Sequence, residues 1–218
     1  LNTWLAIQNL DAAAPAQVAL TALRPDGGTV AQASYLVPAG ATRGIDLGRD
    51  PALTAIGLDF VGSLRIRAAT RLAIQAVLDF EHSRLAIAGL NGEPVVAAAP
   101  TLFIPRVLGK VFADPRQPAA GSALTRLAIA NPGGAGATVT VRYLGSAGAC
   151  EGQAFTGQAR LVPAGGLAWF DVLSDGLPAG CAASAIIGAG DGAGLLAASL
   201  DTVQAGDVLR TAAAYNAF

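Results

Sequence analysis

The sequence Leu-Val-Pro-Ala-Gly stands at residues 36–40 and returns unchanged at residues 161–165. An aliphatic pair is typical of the end of a strand, and Pro-Ala-Gly is typical of the turn that follows it. The same strand and turn are therefore predicted in both halves of the chain.

Other segments match in the same order on either side of this stretch. The matched pairs, with first-half residues given first, are 5–9 with 127–131, Asp46 with Asp171, 63–66 with 184–187, 78–79 with 200–201, and Asn91 with Asn216. Matches that keep one order indicate an internal repeat. We therefore predict a domain at 1–95 and a domain at 96–218, with a short, extended linker around residues 92–100.

Period-two alternation predicts strands within each copy. The residues expected to face inward are Val18, Leu20, Ala22, Leu64, Ile66 and Ala68 in the first copy and Val139, Val141 and Tyr143 in the second. Between them, Ser63, Arg65 and Arg67 are expected to face water. Turn signals divide each copy into about seven strand-sized runs, which predicts an all-β, antiparallel sandwich.

The composition argues against a nucleic-acid partner. Apolar residues make up 53% of the 218 residues, charged residues 13%, and the net charge is −1. Lys110 is the only lysine and the arginines are scattered, whereas phosphate binding needs clustered basic side chains. So low a charged fraction leaves much uncharged surface, and we expect other subunits to cover some of it.

The sequence also predicts no membrane span. The apolar stretch at 182–200 is interrupted by Asp191 and by several glycines, whereas a span needs about 18 clean apolar residues. The sequence begins at Leu1 and contains no methionine, so we expect a processed form, a fragment or a sequence without its precursor.

Two cysteines, Cys150 and Cys181, lie in the second half. They are either two unrelated buried thiols or one disulfide of a secreted protein, and we favour the disulfide. Cys181 takes the place of Phe60, an inward position at a strand start, and Cys150 lies in a loop at 146–153 that is shorter in the first copy. A bridge would close about 30 residues and contribute about 3 kcal/mol. The single histidine argues against a zinc site, and no cofactor is predicted.

The order of the motifs resembles a known family. Phe-Ile-Pro-Arg-Val at 103–107 is followed by Leu-Ala-Ile-x-Asn, by Leu-Val-Pro-Ala-Gly, by a Gly/Ala/Ser-rich strand and by a closing Tyr-Asn. Nearly the whole chain resembles the tandem immunoglobulin-like β-sandwich repeats of large secreted and cell-surface proteins of filamentous bacteria. The resemblance implies two tandem immunoglobulin-like domains, an extracellular or cell-surface location and a scaffold or adhesion role. It transfers no active-site residue.

His82, the only histidine, stands beside Ser83 and could suggest a catalytic pair. The second copy has Gln-Ala-Gly-Asp at 204–207 in the matching place, which favours a hairpin tip. Nucleophilic catalysis would also lack a second histidine or a reactive cysteine.

Two aspartates recur once in each copy, Asp46 with Asp171 and Asp79 with Asp201. Paired carboxylates are typical of glycosidases. Their recurrence in the same strand contexts instead favours hydrogen bonds at turns or strand ends.

The glycine-rich stretch at 188–194 is similar to a phosphate or calcium loop. It lacks the lysine of a P-loop, and the matching residues 68–71 contain no glycine. We therefore favour a hairpin turn, with a calcium site at Asp191 as the weaker alternative.

Large aromatic residues could form a sugar-stacking platform. The candidates are Trp4, Tyr35, Tyr143, Trp169 and Tyr215. They do not cluster in sequence, which favours packing in the core or at an interface over glycan binding.

These observations predict a non-catalytic structural subunit or module of an extracellular assembly, such as a filament, sheath or surface layer. We expect a homo-oligomer or polymer that joins through sheet edges. The alternative is an adhesin or a pair of carbohydrate-binding modules of a cell-surface protein.

A strand-like segment at 101–112 precedes the Leu127 motif of the second copy. Its candidate strand-exchange residues are Thr101, Phe103, Ile104, Val107 and Phe112. If the segment is integral to the module, the first sandwich lacks one strand and has an open edge. An upstream piece of a longer precursor, the linker strand or a neighbouring subunit could fill that place.

Overall fold

The computed structural model describes residues 2–57, 60–79, 87–92, 97–112, 121–205 and 208–217. The fold is all-β, as predicted, and a single turn-like 3-10 helix, Pro51–Ile56, interrupts the strands of this part of the chain. The first half contains β1 (Asn2–Asn9), β2 (Ala16–Leu23), β3 (Thr29–Val37), β4 (Thr42–Asp46), β5 (Ser63–Arg67), β6 (Leu72–Asp79) and β7 (Ile87–Asn91). The second half contains β8 (Thr101–Gly109), β9 (Val111–Phe112), β10 (Ser122–Ala130), β11 (Ala137–Gly148), β12 (Ala154–Thr156), β13 (Arg160–Val162), β14 (Leu167–Asp171), β15 (Cys181–Ala189), β16 (Leu196–Ala205) and β17 (Val208–Asn216).

Two antiparallel sheets form the first half. One has the strand order β4-β1-β6-β7 and the other has the order β3-β2-β5. The alternate side chains of these strands meet between the sheets, where Leu5, Ile7, Val18 and Leu20 are almost completely buried. Burial of this apolar layer supplies the main driving force for folding of the half.

The second half repeats this arrangement and adds strands to it. Its first sheet has the order β14-β10-β16-β17, with β9 also beside β10, and its second has the order β12-β11-β15-β8, with β13 also beside β11. Leu127, Val139, Val141 and Tyr143 are fully buried between the two sheets. The predicted inward residues of β2 and β11 are therefore confirmed.

Equivalent strands pair in the same register in the two halves. Ala16 lies opposite Val37 as Ala137 lies opposite Val162. Likewise, Leu20 faces Ile66 as Val141 faces Ile187. Segments that match in sequence therefore also hold equivalent positions in the pairing of the strands.

One sequence match differs from the structural register. Leu5 lies opposite Ala76, whereas Leu127 lies opposite Ser199. Asp201 therefore holds the ladder position of Leu78, and the predicted pairing of Asp79 with Asp201 is wrong by one residue. The side chain of Asp79 lies outside the described part of the structure.

A buried asparagine ties the Pro-Ala-Gly turn to its neighbours in each half. Asn9 Nδ2 donates to the carbonyl oxygens of Ala14 at 2.8 Å and Pro38 at 3.2 Å. Asn131 Nδ2 donates to those of Ala135 at 2.7 Å and Val162 at 3.2 Å. The sequence signal was visible, because the asparagine recurs at the end of both Leu-Ala-Ile-x-Asn motifs.

The described strands of the two halves share no sheet, but the edge strands β7 and β17 lie close to each other and turns of the two halves are in contact. The Leu167 amide donates to the Pro25 carbonyl oxygen at 3.0 Å. Gly27 has a φ of 87°, and a Cβ there would come within 2.2 Å of the Ala164 oxygen. Only glycine fits this turn, because a side chain would collide with the other half.

The predicted domain boundary and part of the linker lie outside the described residues. Beyond them, Ala99 and Leu195 exchange two backbone hydrogen bonds, which attach the end of the linker to the second half. No helix in the described part of the chain has the length and hydropathy that a membrane span requires.

Candidate interaction surface at an open sheet edge

The two equivalent strands β5 and β15 differ in how many neighbours they have. β15 pairs with β11 on one side and with β8 on the other. β5 pairs with β2, and within the described residues no strand lies along its other side. Among the described residues, the backbone N–H and C=O groups on that side of β5 therefore have no partner strand, as at the edge of a sheet.

The missing neighbour changes the burial of equivalent side chains. Ile187 and Leu195 are completely buried in the second half. Their ladder equivalents Ile66 and Leu72 are only partly buried and pack against the rim of the core. The difference follows from β8, whose inward side chains cover the second core.

A groove with a volume of about 770 Å³ runs along the open side of β5. Its floor consists of first-half aliphatic residues, and its other wall is the outer face of β10 and β16. Among the lining residues are Leu5, Leu64, Ile66, Leu72, Ile74 and Ala76 from the floor and Ala128, Ala130, Leu196 and Ala198 from the wall. The groove is therefore mainly apolar and lies between the halves.

The structure places the predicted strand-exchange residues on β8 and β9. Ile104 and Val107 point into the second core and are 1% and 0% exposed, while Thr101 and Phe103 lie on the outer face. Phe112 belongs to β9 and is half-exposed. Because β8 pairs with β15, this strand belongs to the second sandwich and does not fill the gap in the first.

A polar network fastens β8 in its place. Arg106 Nη2 donates to Asp201 Oδ2 at 2.9 Å, and the Thr125 hydroxyl donates to the other oxygen of the same carboxylate. The Leu108 amide in turn donates to Thr125 Oγ1 at 2.8 Å. Asp201 is thus a buried strand residue that holds β8, and the predicted turn or strand-end role is wrong for it.

Cys150 and Cys181 form a disulfide, as we favoured from the sequence. Both residues are fully buried, and the bridge connects the tip of the β11–β12 connection to the first residue of β15. β11 continues to Gly148, so the predicted loop at 146–153 is in part strand. The first half has no equivalent covalent link, because its sequence contains no cysteine.

Asp46 and Asp171 both form hydrogen bonds at the end of a strand, as predicted. Asp46 Oδ1 accepts from the Gly48 amide at 3.1 Å, and Asp171 Oδ1 accepts from the Leu173 amide at 3.1 Å. The Arg126 guanidinium lies 3.5 Å from the Asp171 carboxylate. These contacts stabilise the turns that follow β4 and β14.

A buried tyrosine–aspartate pair belongs to the second half. The Tyr143 hydroxyl donates to Asp175 Oδ2 at 2.8 Å, and Arg160 Nη2 lies 3.4 Å from Asp175 Oδ1. Burial raises the pKa of the Asp175 carboxyl above its ordinary value, while Tyr143 and Arg160 act in the opposite direction. Burial, and then the hydrogen bond to Asp175, raise the pKa of Tyr143.

The aromatic candidates fall into two groups. Tyr35 and Tyr143 are buried in the cores, as favoured from the sequence. Trp4 and Trp169 are 46% and 39% exposed, so neither packs in a core, and packing at an interface stays the prediction for them. The side chain of Tyr215 lies outside the described part of the structure.

The remaining candidates show no assembled chemistry. Asp191 Oδ1 accepts from the Ala193 amide at 3.1 Å in a tight turn between β15 and β16, as the hairpin interpretation requires. His82 lies outside the described residues. Within the described ranges, no three histidine, cysteine or acidic side chains come together as a metal site would need.

Neither a known protein family nor a curated protein matches this chain. Part of the chain is similar to a solved structure, the crystal structure of Thermotoga maritima 1070, with a TM-score of 0.44 and 11% sequence identity. The similarity covers 56% of this chain and 94% of that one. Likeness at this level carries no argument about fold or function, so the resemblance to immunoglobulin-like repeats stays a prediction.

Proposed function

We propose that this chain is a non-catalytic structural module of an extracellular assembly, such as a filament, sheath or surface layer. The observation that carries the proposal is the open edge of β5 together with the apolar groove beside it. Open edges and apolar grooves are liabilities in a protein that stays alone, and they are joining surfaces in one that assembles.

Two further features support the proposal: a disulfide supports the extracellular setting, and the low charge supports assembly. A disulfide persists in oxidising compartments and is rare in reducing ones. The 13% of charged residues leaves little of the charge that keeps a free protein dispersed at high concentration.

Electron microscopy of the purified, oxidised chain tests this function. Ordered filaments or sheets that grow with protein concentration are expected, because joining surfaces obey mass action. Particles of the purified chain that stay monomeric at all protein concentrations would contradict the proposal.

The exposed side chains of Trp4 and Trp169 favour a second candidate, an adhesin or carbohydrate-binding module. Exposed indole rings are the surfaces on which sugars stack. A glycan array separates the two functions. Binding by monomers that is lost in the Trp4→Ala or Trp169→Ala variant, with folding intact, supports the second candidate and not the first.

A further inference from the structure

We propose that the groove of the first sandwich binds an extended β-strand from another polypeptide chain, with aliphatic residues facing inward, one of them smaller than its counterpart in β8, and carboxylates facing outward. This inference rests on the proposed function and names the chemistry of the partner. It follows from the second sandwich, where β8 shows which kind of segment completes this fold.

The place of the incoming strand is set by equivalence. In the second sandwich, β8 pairs with β15 and places Leu102, Ile104 and Val107 in the core. In the first, β5 has the position of β15, and the groove beside it is lined by the residues that such side chains would cover. Backbone pairing supplies affinity in this mode of recognition, and the alternate side chains supply specificity.

The size of the inward residues follows from what lines the groove. In the second sandwich, Ile104 of β8 lies opposite Ala185 of β15. The equivalent of Ala185 is Leu64, a larger residue that fills part of the space. The residue of the incoming strand at that position is therefore smaller than isoleucine, and valine fits the requirement.

The charge of the outward residues follows from β5. In the β8 register, Phe103 faces Ile186 and Thr101 faces Gly188. The first-half equivalents of those partners are Arg65 and Arg67, and neither has a carboxylate within ion-pair distance in the described part of the chain. Opposite charges across neighbouring strands stabilise the pair, so carboxylates belong at these two outward positions.

The chain's own β8 is not the occupant. Its inward side chains are buried in the second sandwich, and Arg106 is held by the buried Asp201. If β8 moved to β5, the edge of β15 would become open as the edge of β5 was covered. The number of paired strands would stay the same. The described strands are already paired within their own sheets, and we assign the new strand to another chain.

Two synthetic peptides test the inference on the complete, oxidised protein. Both have the sequence of residues 101–109 with Ile104→Val, and the second also carries Thr101→Glu and Phe103→Glu. We expect both to bind, the acidic one roughly 2- to 30-fold more tightly because it adds two opposite-charge cross-strand pairs. The advantage should shrink at high salt, where surface charges are screened.

Matched protein variants show where the peptide binds. The Arg65→Ser and Arg67→Ser double variant should lose the preference for the acidic peptide, whereas Arg142→Ser on the outer face of β11 should keep it. A peptide with Leu102→Asp should not bind, because it places a charge in the groove. Binding that ignores all three changes would overturn the inference.

A cysteine pair tests the register. Arg65→Cys in the protein should form a disulfide with Phe103→Cys in the peptide, and Arg142→Cys should not. If Arg65→Cys and Phe103→Cys in one protein form a link within a single chain, the chain's own β8 fills the groove and the inference is wrong. Filaments without peptide binding would sink this inference alone, whereas peptide binding without any assembly would sink the proposed function alone.

Discussion

Strands β5 and β15 hold the same position in two copies of one arrangement, and they meet their surroundings differently. β15 is enclosed by β11 and β8, and the core beneath it is sealed. In the described part of the chain β5 has a neighbour on one side, and the side chains beneath it are partly exposed in a groove. The strand that seals the second copy is β8, which precedes the repeat motifs of that copy.

The largest expected effect compares equivalent core residues. Ile187→Ala should lower the free energy of unfolding by about 4 kcal/mol, because it leaves a cavity in a sealed core. Ile66→Ala should cost about 1.5 kcal/mol, because its side chain is already partly exposed beside the groove. Denaturant titration measures both, and equal losses would show that β5 is sealed in solution.

The disulfide offers a second way to compare the stabilities of the two halves. The Cys150→Ala and Cys181→Ala double variant should lose about 3 kcal/mol, since the bridge spans 31 residues of chain. Hydrogen exchange should rise in β11 and β15 and stay unchanged in β1 and β2. The reduced native protein is the control, and a loss spread evenly over both halves would contradict local stabilisation.

The polar anchor of β8 gives an effect of intermediate size. Arg106→Ala should cost about 2 kcal/mol because it leaves the buried Asp201 carboxylate without its cation, while the half-exposed arginine keeps the loss below that of a fully buried pair. The Arg106→Leu and Asp201→Leu double variant should lose less, since it replaces the pair with apolar side chains. Amide exchange in β8 reports the change, and an unaffected β8 would show that Arg106 does not hold it.

The buried Asp175 predicts a pH dependence that is confined to the second half. Its pKa in the folded state is raised above the ordinary value of 3.8, so its contribution to stability is present below that value and is lost as the pH rises through the folded pKa. The stability of the native protein relative to Asp175→Asn should therefore fall between acidic and neutral pH. Thermal unfolding at several pH values measures it, and a difference that grows with pH would contradict the sign.

The smallest effects are expected at the two strand-end aspartates. Asp46→Asn and Asp171→Asn should each change stability by about 0.5 kcal/mol, because the amide oxygen can still accept the turn hydrogen bond and an exposed ion pair contributes little. Hydrolase screens should be blank for the native protein and both variants. A hydrolytic activity that either change abolishes, with folding intact, would falsify the non-catalytic proposal.

Much of the fold was predictable from local pattern. The recurring Leu-Val-Pro-Ala-Gly and the alternation of Val18 and Leu20 identified strands and turns, because both depend on neighbours in sequence. The role of Asp201 was missed, because its match to Asp79 was based on identity and the register depends on a partner strand. For Trp4 and Trp169 the sequence left packing in the core and packing at an interface open for a related reason, since an aromatic side chain in a strand does not show which face of the sheet it occupies.

The edge itself could be only partly predicted. The absence of a match to residues 101–112 in the first copy suggested a missing strand, and the alternatives for filling it stayed open. Sequence does not show which sandwich a linker strand joins, because strand pairing is a long-range contact. The pairing of Ile104 with Ala185 decides that question.

The place of β8 in the sequence, after the first half and ahead of the other strands of the second, also sets an order in time. Arg106 and its partner Asp201 are 95 residues apart in sequence, so a chain made from its N-terminus displays β8 long before it contains the residue that holds it. During that interval β5 is the open strand edge that lies nearer to β8 in sequence, and short loops close faster than long ones. In a nascent chain that ends at residue 160, we expect β8 to pair with β5, which would protect the amides of both strands from exchange. In the finished chain, we expect β8 to pair with β15 instead. Hydrogen exchange on the two lengths would show this competition during synthesis, or its absence.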